Sequence, residues 1–234
     1  MKIKIIIFLL VSCSIYANTP TADEFLAVLK TNQSKIKTLT ADIVWTIEGA
    51  GEVKMVQKGK YYADNEKGLV KLEFIQPVYQ ALLIKGTEIY IKSATSADYK
   101  KVEINNTQIP SYQNSFDLFQ YNFLKQYNYK LEKSNEDSGI FQFDGYKDSA
   151  KQIEVIYDNN LKIIKQYTII GNETMPYIVV SMEYENKKIS QTEEILLPVR
   201  IMSRTKAGIT TVTGIVEMLN IKLNGEIDSS IFTK

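Results

Sequence analysis

Hydrophobic spacing divides the chain into a short helical opening and a long run of strands. Thr21-Ala22-Asp23-Glu24 has the pattern of a capping box, with a hydroxyl at the cap and a carboxylate three residues on. Phe25, Val28, Leu29 and Ile36 follow at helical spacing, which predicts an amphipathic helix over 22–37. From Thr38 the period becomes two. Ala41, Ile43, Trp45 and Ile47 alternate with Asp42, Thr46 and Glu48, and Gly49-Ala50-Gly51 predicts a turn into a second strand over 52–62. Val70, Leu72 and Phe74 alternate with Lys71 and Glu73 up to Pro77. Residues 81–84 and 88–92 form a predicted hairpin around Lys85-Gly86-Thr87, and a further strand covers 99–104.

The segment 114–127 interrupts this run. Phe116, Phe119 and Phe123 recur at helical spacing, with Leu118 and Leu124 beside them, and predict a short helix or pair of turns. Strands are then expected at 128–133, 139–144, 151–157, 161–170, 177–185, 188–196, 199–205 and 210–223, with turns at Asp158-Asn159-Asn160, Gly171-Asn172 and Glu185-Asn186-Lys187. One helix, about six strands, a short helix and about seven strands imply a mainly β (α+β) protein. Its centre is a strongly curved antiparallel sheet or barrel. Two helices cannot cover both faces of so large a sheet, so they are expected across its concave side.

The first seventeen residues have a different character. A basic start, Met1-Lys2-Ile3-Lys4, precedes an apolar run from Ile5 to Val11 that is too short to span a bilayer. Ser14-Ile15-Tyr16-Ala17 supplies a small residue for signal peptidase, so 1–17 reads as a signal peptide cleaved after Ala17. Leu10-Val11-Ser12-Cys13 also fits a lipobox, in which Cys13 would be acylated and anchor the chain to a membrane. Export is expected on either reading. Residues 18–234 show no internal repeat or linker and are expected to form a single domain.

Composition narrows the chemistry. The 234 residues include no His and one Cys, so imidazole bases, Ser-His and Cys-His nucleophiles and disulfides within one chain are excluded. A formal charge of +1, falling to −1 without residues 1–17, gives no basic surplus for nucleic acid. The carboxylate pairs Asp144/Asp148 and Glu193/Glu194 suit solvated turns and strand faces, and no spacing holds either pair at a catalytic separation. Neither a cofactor nor a metal is called for, and an enzyme is the least favoured class.

Aromatic and Met residues are more informative: 15 Tyr, 9 Phe, 1 Trp and 6 Met. Alternation places Ile43, Trp45, Ile47, Met55, Leu72, Phe74, Leu83, Ile89, Ile91, Ile178, Val180, Met182 and Met202 inward. These residues could fill a solid core or line a cavity for a long apolar ligand with soft side chains. The pattern alone leaves both open.

Ala22-Asp23-Glu24-Phe25-Leu26, Leu39-Thr40-Ala41-Asp42-Ile43, Gly59-Lys60-Tyr61-Tyr62 and Leu72-Glu73-Phe74-Ile75-Gln76-Pro77 follow one another in a distinctive order. Leu82 to Tyr90, Tyr127 to Leu131 and the tail from Gly208 to Phe232 continue it. In this order and spacing, over nearly all of 22–234, the chain resembles the LolA/LolB-type outer-membrane lipoprotein-sorting proteins. The resemblance implies a half-open β-barrel with an apolar cavity for acyl chains. Its N-terminal and middle helices would be the lid, carrying Phe25, Leu29, Phe116, Phe119 and Phe123. It implies a periplasmic, monomeric carrier without catalysis, which takes acylated lipoproteins from an inner-membrane lipoprotein-releasing transporter to an outer-membrane acceptor. It also gives Trp45 a cavity role. The alternatives are an acceptor anchored through Cys13, an envelope binding module for another hydrophobic ligand, and a structural protein with a filled core. One departure stands out. The family's soluble carrier has a lid-fastening Arg before the strand that ends in Pro, whereas this chain has Ala63 to Gly68 there, with Lys67 as the only stand-in.

Overall fold

The computed structural model describes residues 21–49, 52–86, 88–102, 124, 128–134, 138–144, 152–158, 160–170, 177–207 and 210–233. Helix α1 (Ala22–Ser34) is followed by thirteen strands: β1 (Thr38–Gly49), β2 (Glu52–Asp64), β3 (Leu69–Gln76), β4 (Gln80–Lys85), β5 (Glu88–Ser93), β6 (Lys100–Val102), β7 (Asn128–Ser134), β8 (Ser138–Asp144), β9 (Gln152–Asp158), β10 (Ile163–Ile170), β11 (Tyr177–Lys188), β12 (Glu194–Ala207) and β13 (Thr210–Leu223). They form one curved antiparallel sheet in the order β6-β5-β4-β3-β2-β1-β13-β12-β11-β10-β9-β8-β7. Two meanders, β1–β6 and β7–β13, are thus joined where the first strand pairs with the last. Among the described residues the sheet does not close, because β6 and β7 remain its two edges.

The capping box forms as the spacing predicts. Thr21 Oγ1 accepts from Glu24 N at 3.2 Å, and Thr21 N donates to Glu24 Oε2 at 2.7 Å. The helix ends at Ser34, not at 37, because the chain is clasped from outside just after it. Asn224 Nδ2 donates to Lys35 O at 3.0 Å, and its Oδ1 accepts from Lys37 N at 2.7 Å. Asn65 Nδ2 donates to Ile36 O at 2.7 Å. These bonds fix the exit angle of α1 and direct Ile36 into the core.

The expected turn at Glu185-Asn186-Lys187 lies inside β11, and the turn falls instead at 189–193, within the expected strand 188–196; residues 194–196 of that strand run on with the expected 199–205 as one strand, β12. Pro198 did not end the strand because it sits at a bulge: Glu183 pairs with Arg200 and Tyr184 with Pro198, leaving Val199 extra. The β12–β13 ladder begins only at Arg200. The preceding part of β12 therefore leaves β13, and Ile195 and Leu197 join Ile36, Leu39, Ile43, Leu72 and Phe74 in one core cluster. Lys35, at the end of α1, pairs with Glu193 of the β11–β12 turn at 2.9 Å.

The second core cluster lies under α1. Phe25, Leu26 and Leu29 pack with Ile153, Val155, Tyr157, Ile164, Tyr167, Val180 and Met182 from β9, β10 and β11. Leu124 is helical, fully buried and part of the same cluster. Phe25 and Tyr157 meet with ring centroids 4.9 Å apart. Burying a side chain of this size contributes about 2 kcal/mol, so three of them secure a thirteen-residue helix that would be marginal alone. A third, smaller cluster of Leu83, Tyr90 and Phe232 lies on the opposite face, where the C-terminal turn Ser229–Phe232 packs against the sheet. Among the described residues no helix is long and apolar enough to cross a membrane.

Candidate functional site

Strand register places the residues that share a face with α1. One row crosses seven strands: Met55, Ile47, Gly214, Ser203, Val180, Tyr167 and Val155. A parallel row runs Gln57, Trp45, Val216, Ile201 and Met182. At the α1 end these rows are buried: Val155 is 0% exposed, Val180 6% and Tyr167 7%. At the other end, Met55, Ile47, Trp45, Val216 and Ile201 are only half-buried. A strip of partly buried apolar side chains thus lies between the two core clusters, on β2, β1, β13 and β12, with Trp45 packed against one cluster and Ile201 against the one under α1.

Local backbone features shape the strip. Gly214 lies beside Trp45, and a Cβ there would come within 3.4 Å of Trp45 Nε1 and 3.0 Å of Ser203 Oγ. Its bare backbone leaves the indole room to lie along the sheet. On its other side Trp45 meets Phe74 with ring centroids 5.6 Å apart. Gly59 separates Ile43 from Phe74 at the β2–β3 bulge, where a Cβ would overlap the Glu73 carbonyl oxygen. Only glycine permits that approach.

Near the strip, the described charges lie on the outer face and in the turns. Asp42 pairs with Lys60 at 3.1 Å and accepts from Asn220 Nδ2 at 2.8 Å, which holds its carboxyl below the usual range. Arg200 bridges Glu183 at 2.6 Å and Glu217 at 3.5 Å across three strands. Lys71 and Glu73 pair at 3.4 Å, and Tyr79 donates to Glu73 at 3.0 Å. Burial, followed by that carboxylate, pushes the Tyr79 phenol up to about 12. Neither inner row contains Asp, Glu, Lys or Arg. Beneath α1, Tyr184 donates to Ile164 O at 2.7 Å, and burial raises its pKa far above the ordinary phenol value.

The residues singled out by alternation divide into several groups. Ile43, Leu72 and Phe74 are buried in the cluster beside the strip, and Val180 and Met182 are buried in the cluster under α1. Trp45, Ile47 and Met55 form the strip, and half-buried Ile178 packs against the helix-covered cluster. Ile89 is buried and Ile91 half-buried on β5, on the same face by register. Leu83 and Met202 are corrected: both lie on the opposite face. Leu83 pairs with Lys71 and Tyr90 and is covered by the C-terminal turn, while Met202 pairs with Ser181 and Ile215. Leu83 lies in an unbroken apolar run, which has no phase to read. Around Met202 the inward positions are Ile201 and the polar Ser203, so alternation there pointed the wrong way. Of the lid positions, Phe25 and Leu29 are buried on α1. Phe116, Phe119, Phe123 and Cys13 lie outside the described residues.

Alternation missed Gln57, Ile201, Ser203, Gly214 and Val216. Glu217 and Thr213 on the outer face would have identified Val216 and Gly214 as inward, but Ile215 obscured the alternation. Lys67 does not fasten the helix. It pairs with Asp64 at 2.7 Å within the β2–β3 turn. A separate groove of about 400 Å³ at the C-terminal end of α1 is lined by Lys30, Gln33, Ser34, Ile36, Lys37, Asn65 and Glu66, away from the strip.

No family model and no curated protein sequence matches the chain. Solved structures match its fold. A LolA superfamily protein from Nitrosomonas europaea aligns over 92% of this chain and 99% of its own, at 13% identity and a TM-score of 0.65. A structure described as an outer membrane lipoprotein-sorting protein domain, from Vibrio parahaemolyticus, aligns over 91% and 97% at 11% identity, with a TM-score of 0.66. A DUF1329 family protein from Desulfovibrio piger aligns over 92% and 98% at 10% identity, with a TM-score of 0.67. The chain therefore has the open-barrel fold of the LolA superfamily structures: one long, unclosed antiparallel sheet with a helix against one face. At 10–13% identity the likeness is one of fold.

Proposed function

We propose that the protein is a carrier that binds the acyl chains of lipoproteins on the strip centred on Trp45 and moves them toward the outer membrane. The observation that carries this reading is the incompletely buried apolar strip in the middle of the inner face. A fold with a filled core would cover those side chains, as α1 covers the neighbouring ones. An acyl chain laid on Trp45, Ile47, Met55, Val216 and Ile201 would gain about 0.8 kcal/mol for each CH₂ it buries. No ionised group on either row opposes that burial. Binding, not catalysis, is the activity assigned. Ile43, Leu72, Phe74, Ile89, Ile91, Ile178, Val180 and Met182 would support or extend the lining, with Phe25 and Leu29 holding the helix as one wall of the cavity.

The same reading puts the mature chain in the periplasm as a monomer beginning at Asn18. It would receive cargo from an inner-membrane lipoprotein-releasing transporter and deliver it to an outer-membrane acceptor. The lipobox Leu10-Val11-Ser12-Cys13 favours a second form of this function, an acceptor anchored through Cys13. Mass spectrometry of the chain isolated from its own envelope separates the two: a terminus at Asn18 supports the carrier and a diacyl or triacyl Cys13 the acceptor.

The test of the site is displacement of an environment-sensitive dye by fatty acid. Trp45→Glu should abolish fatty-acid binding while the domain keeps its cooperative unfolding, because a carboxylate on the strip cannot be desolvated against a hydrocarbon chain. Unchanged binding in the folded variant removes Trp45 from the site.

A further inference from the structure

The strip has one polar neighbour that the fold leaves unsatisfied. Gln57 is 7% exposed, and its Oε1 is buried without a hydrogen-bond partner among the described residues. It stands directly opposite Trp45 in the β1–β2 ladder, so the two side chains share the inner face at the separation of a cross-strand pair. Met55 lies two positions before it on the same strand and on the same face. Beyond Gln57 toward β3, pairing is absent: the β2–β3 ladder ends at Lys58 with Gln76. The carboxamide therefore sits at the edge of the strip, among the apolar groups that the proposed ligand would touch.

A buried amide oxygen without a donor is costly to keep, and such atoms are few in folded proteins. Leu or Met would fill this position at no such cost. We propose that Gln57 is a polar anchor within the acyl site. On this assignment, which rests on the acyl-carrier reading above, its Oε1 accepts a hydrogen bond from a donor at the head of the bound chain. The ligand class is then an acyl chain with an N–H or O–H within an atom or two of its carbonyl, as in an N-acyl amide or a 2-hydroxyacyl group. A plain ester lacks that donor. Met55, unbranched and half-exposed, can swing aside to admit the head group.

Three probes of matched chain length separate the possibilities: N-methylpalmitamide, methyl palmitate and methyl 2-hydroxypalmitate. The first two differ by one N–H in place of an ester oxygen, and the third restores a donor as a hydroxyl. The wild-type chain should bind at least one donor-bearing probe about tenfold more tightly than methyl palmitate, equivalent to about 1.4 kcal/mol. Whichever probe gains identifies the donor as amide or hydroxyl. Gln57→Leu should bind methyl palmitate at least as well as wild type, bind all three probes within about twofold of one another, and unfold at an equal or higher temperature. Equal binding of the three probes by wild type, or a preference that survives in Gln57→Leu, overturns the anchor and leaves the acyl site standing. Failure of every probe to bind either protein overturns the acyl site and the anchor together.

Discussion

The two ends of one sheet face carry similar side chains and have different exposures. Under α1, Val155, Tyr167, Val180 and Met182 are sealed by Phe25, Leu26 and Leu29. Two to four strands away from β11, Val216, Trp45, Ile47 and Met55 continue the same register rows and are only partly buried. Apolar content does not distinguish the regions; among the described residues, the positions of α1 and of Leu124 do. The helix is fixed at both ends, by the Thr21–Glu24 box and by the clasp of Asn224 and Asn65 on residues 35–37. It cannot spread over the whole face. The first region is a core, and the second has the character of a binding surface.

The sharpest way to break this comparison is to truncate one large aromatic in each region. Phe25→Ala removes a 1%-exposed ring from contact with Tyr157 and should cost about 3–5 kcal/mol in urea unfolding. Trp45→Ala removes a larger ring that is only partly buried and should cost less, roughly 1–2 kcal/mol, while weakening fatty-acid displacement of the dye at least tenfold. Equal stability losses would mean that the strip is as much core as the helix-covered patch, and the functional reading of the exposure would fail.

A smaller effect separates stability from binding through pH. Asp158, at the end of β9, accepts from Asn160 N and Leu161 N, both at 2.9 Å, and pairs with Lys165 at 2.8 Å. The Lys165 ammonium, more than any other group, holds its carboxyl below the usual range. A depressed folded-state pKa stabilises the fold above the unfolded value of about 3.9 and loses that stabilisation as pH falls through the folded value. Acid should therefore weaken the fold below about pH 4. Asp158→Asn should flatten that acid limb and lower stability at pH 7 by about 1–2 kcal/mol. Asp158 braces the β9–β10 hairpin beneath α1, not the strip, so fatty-acid affinity at pH 7 should stay within twofold of wild type. A loss of affinity alongside stability would show that the two regions are not independent.

Much of this division was legible before the structure. Period two gave β1 to β5 nearly to the residue, and the capping box located the start of α1, because local hydrogen bonding and a clean polar face decide those elements. Inward positions were readable where charges mark the outer face: Asp42, Thr46 and Glu48 point Ile43, Trp45 and Ile47 inward. They were not readable at Leu83, inside an apolar run, or at Met202, whose neighbour Ser203 is a polar residue facing in. The β11–β12 turn falls after Lys188 and not at the polar Glu185-Asn186-Lys187, whose residues pair with Leu197, Leu196 and Ile195 in the ladder, and Pro198 is received by a bulge that spacing does not reveal. Gln57 gave no signal, since a polar residue in a strand suggests the outer face. Its importance arises from pairing and burial, which are properties of the fold.

The smallest predicted effect tests whether the helix is a fixed wall or a cover that loosens. Thr21→Ala removes the hydroxyl that accepts from Glu24 N and should lower stability by about 1 kcal/mol. Phe25, Leu26 and Leu29 still hold the helix to β9–β11, so the loss should be confined to fraying of the first turn. Hydrogen exchange at the amides of residues 23–25 should quicken while those of β1 and β13 stay protected. If α1 is a fixed wall, fatty-acid affinity will not change. If affinity rises as the first turn frays, α1 moves to admit ligand, and the boundary between core and strip shifts with it. The two outcomes place the site's opening on different elements: on the strip itself in the first case, and on the seam between α1 and β11 in the second.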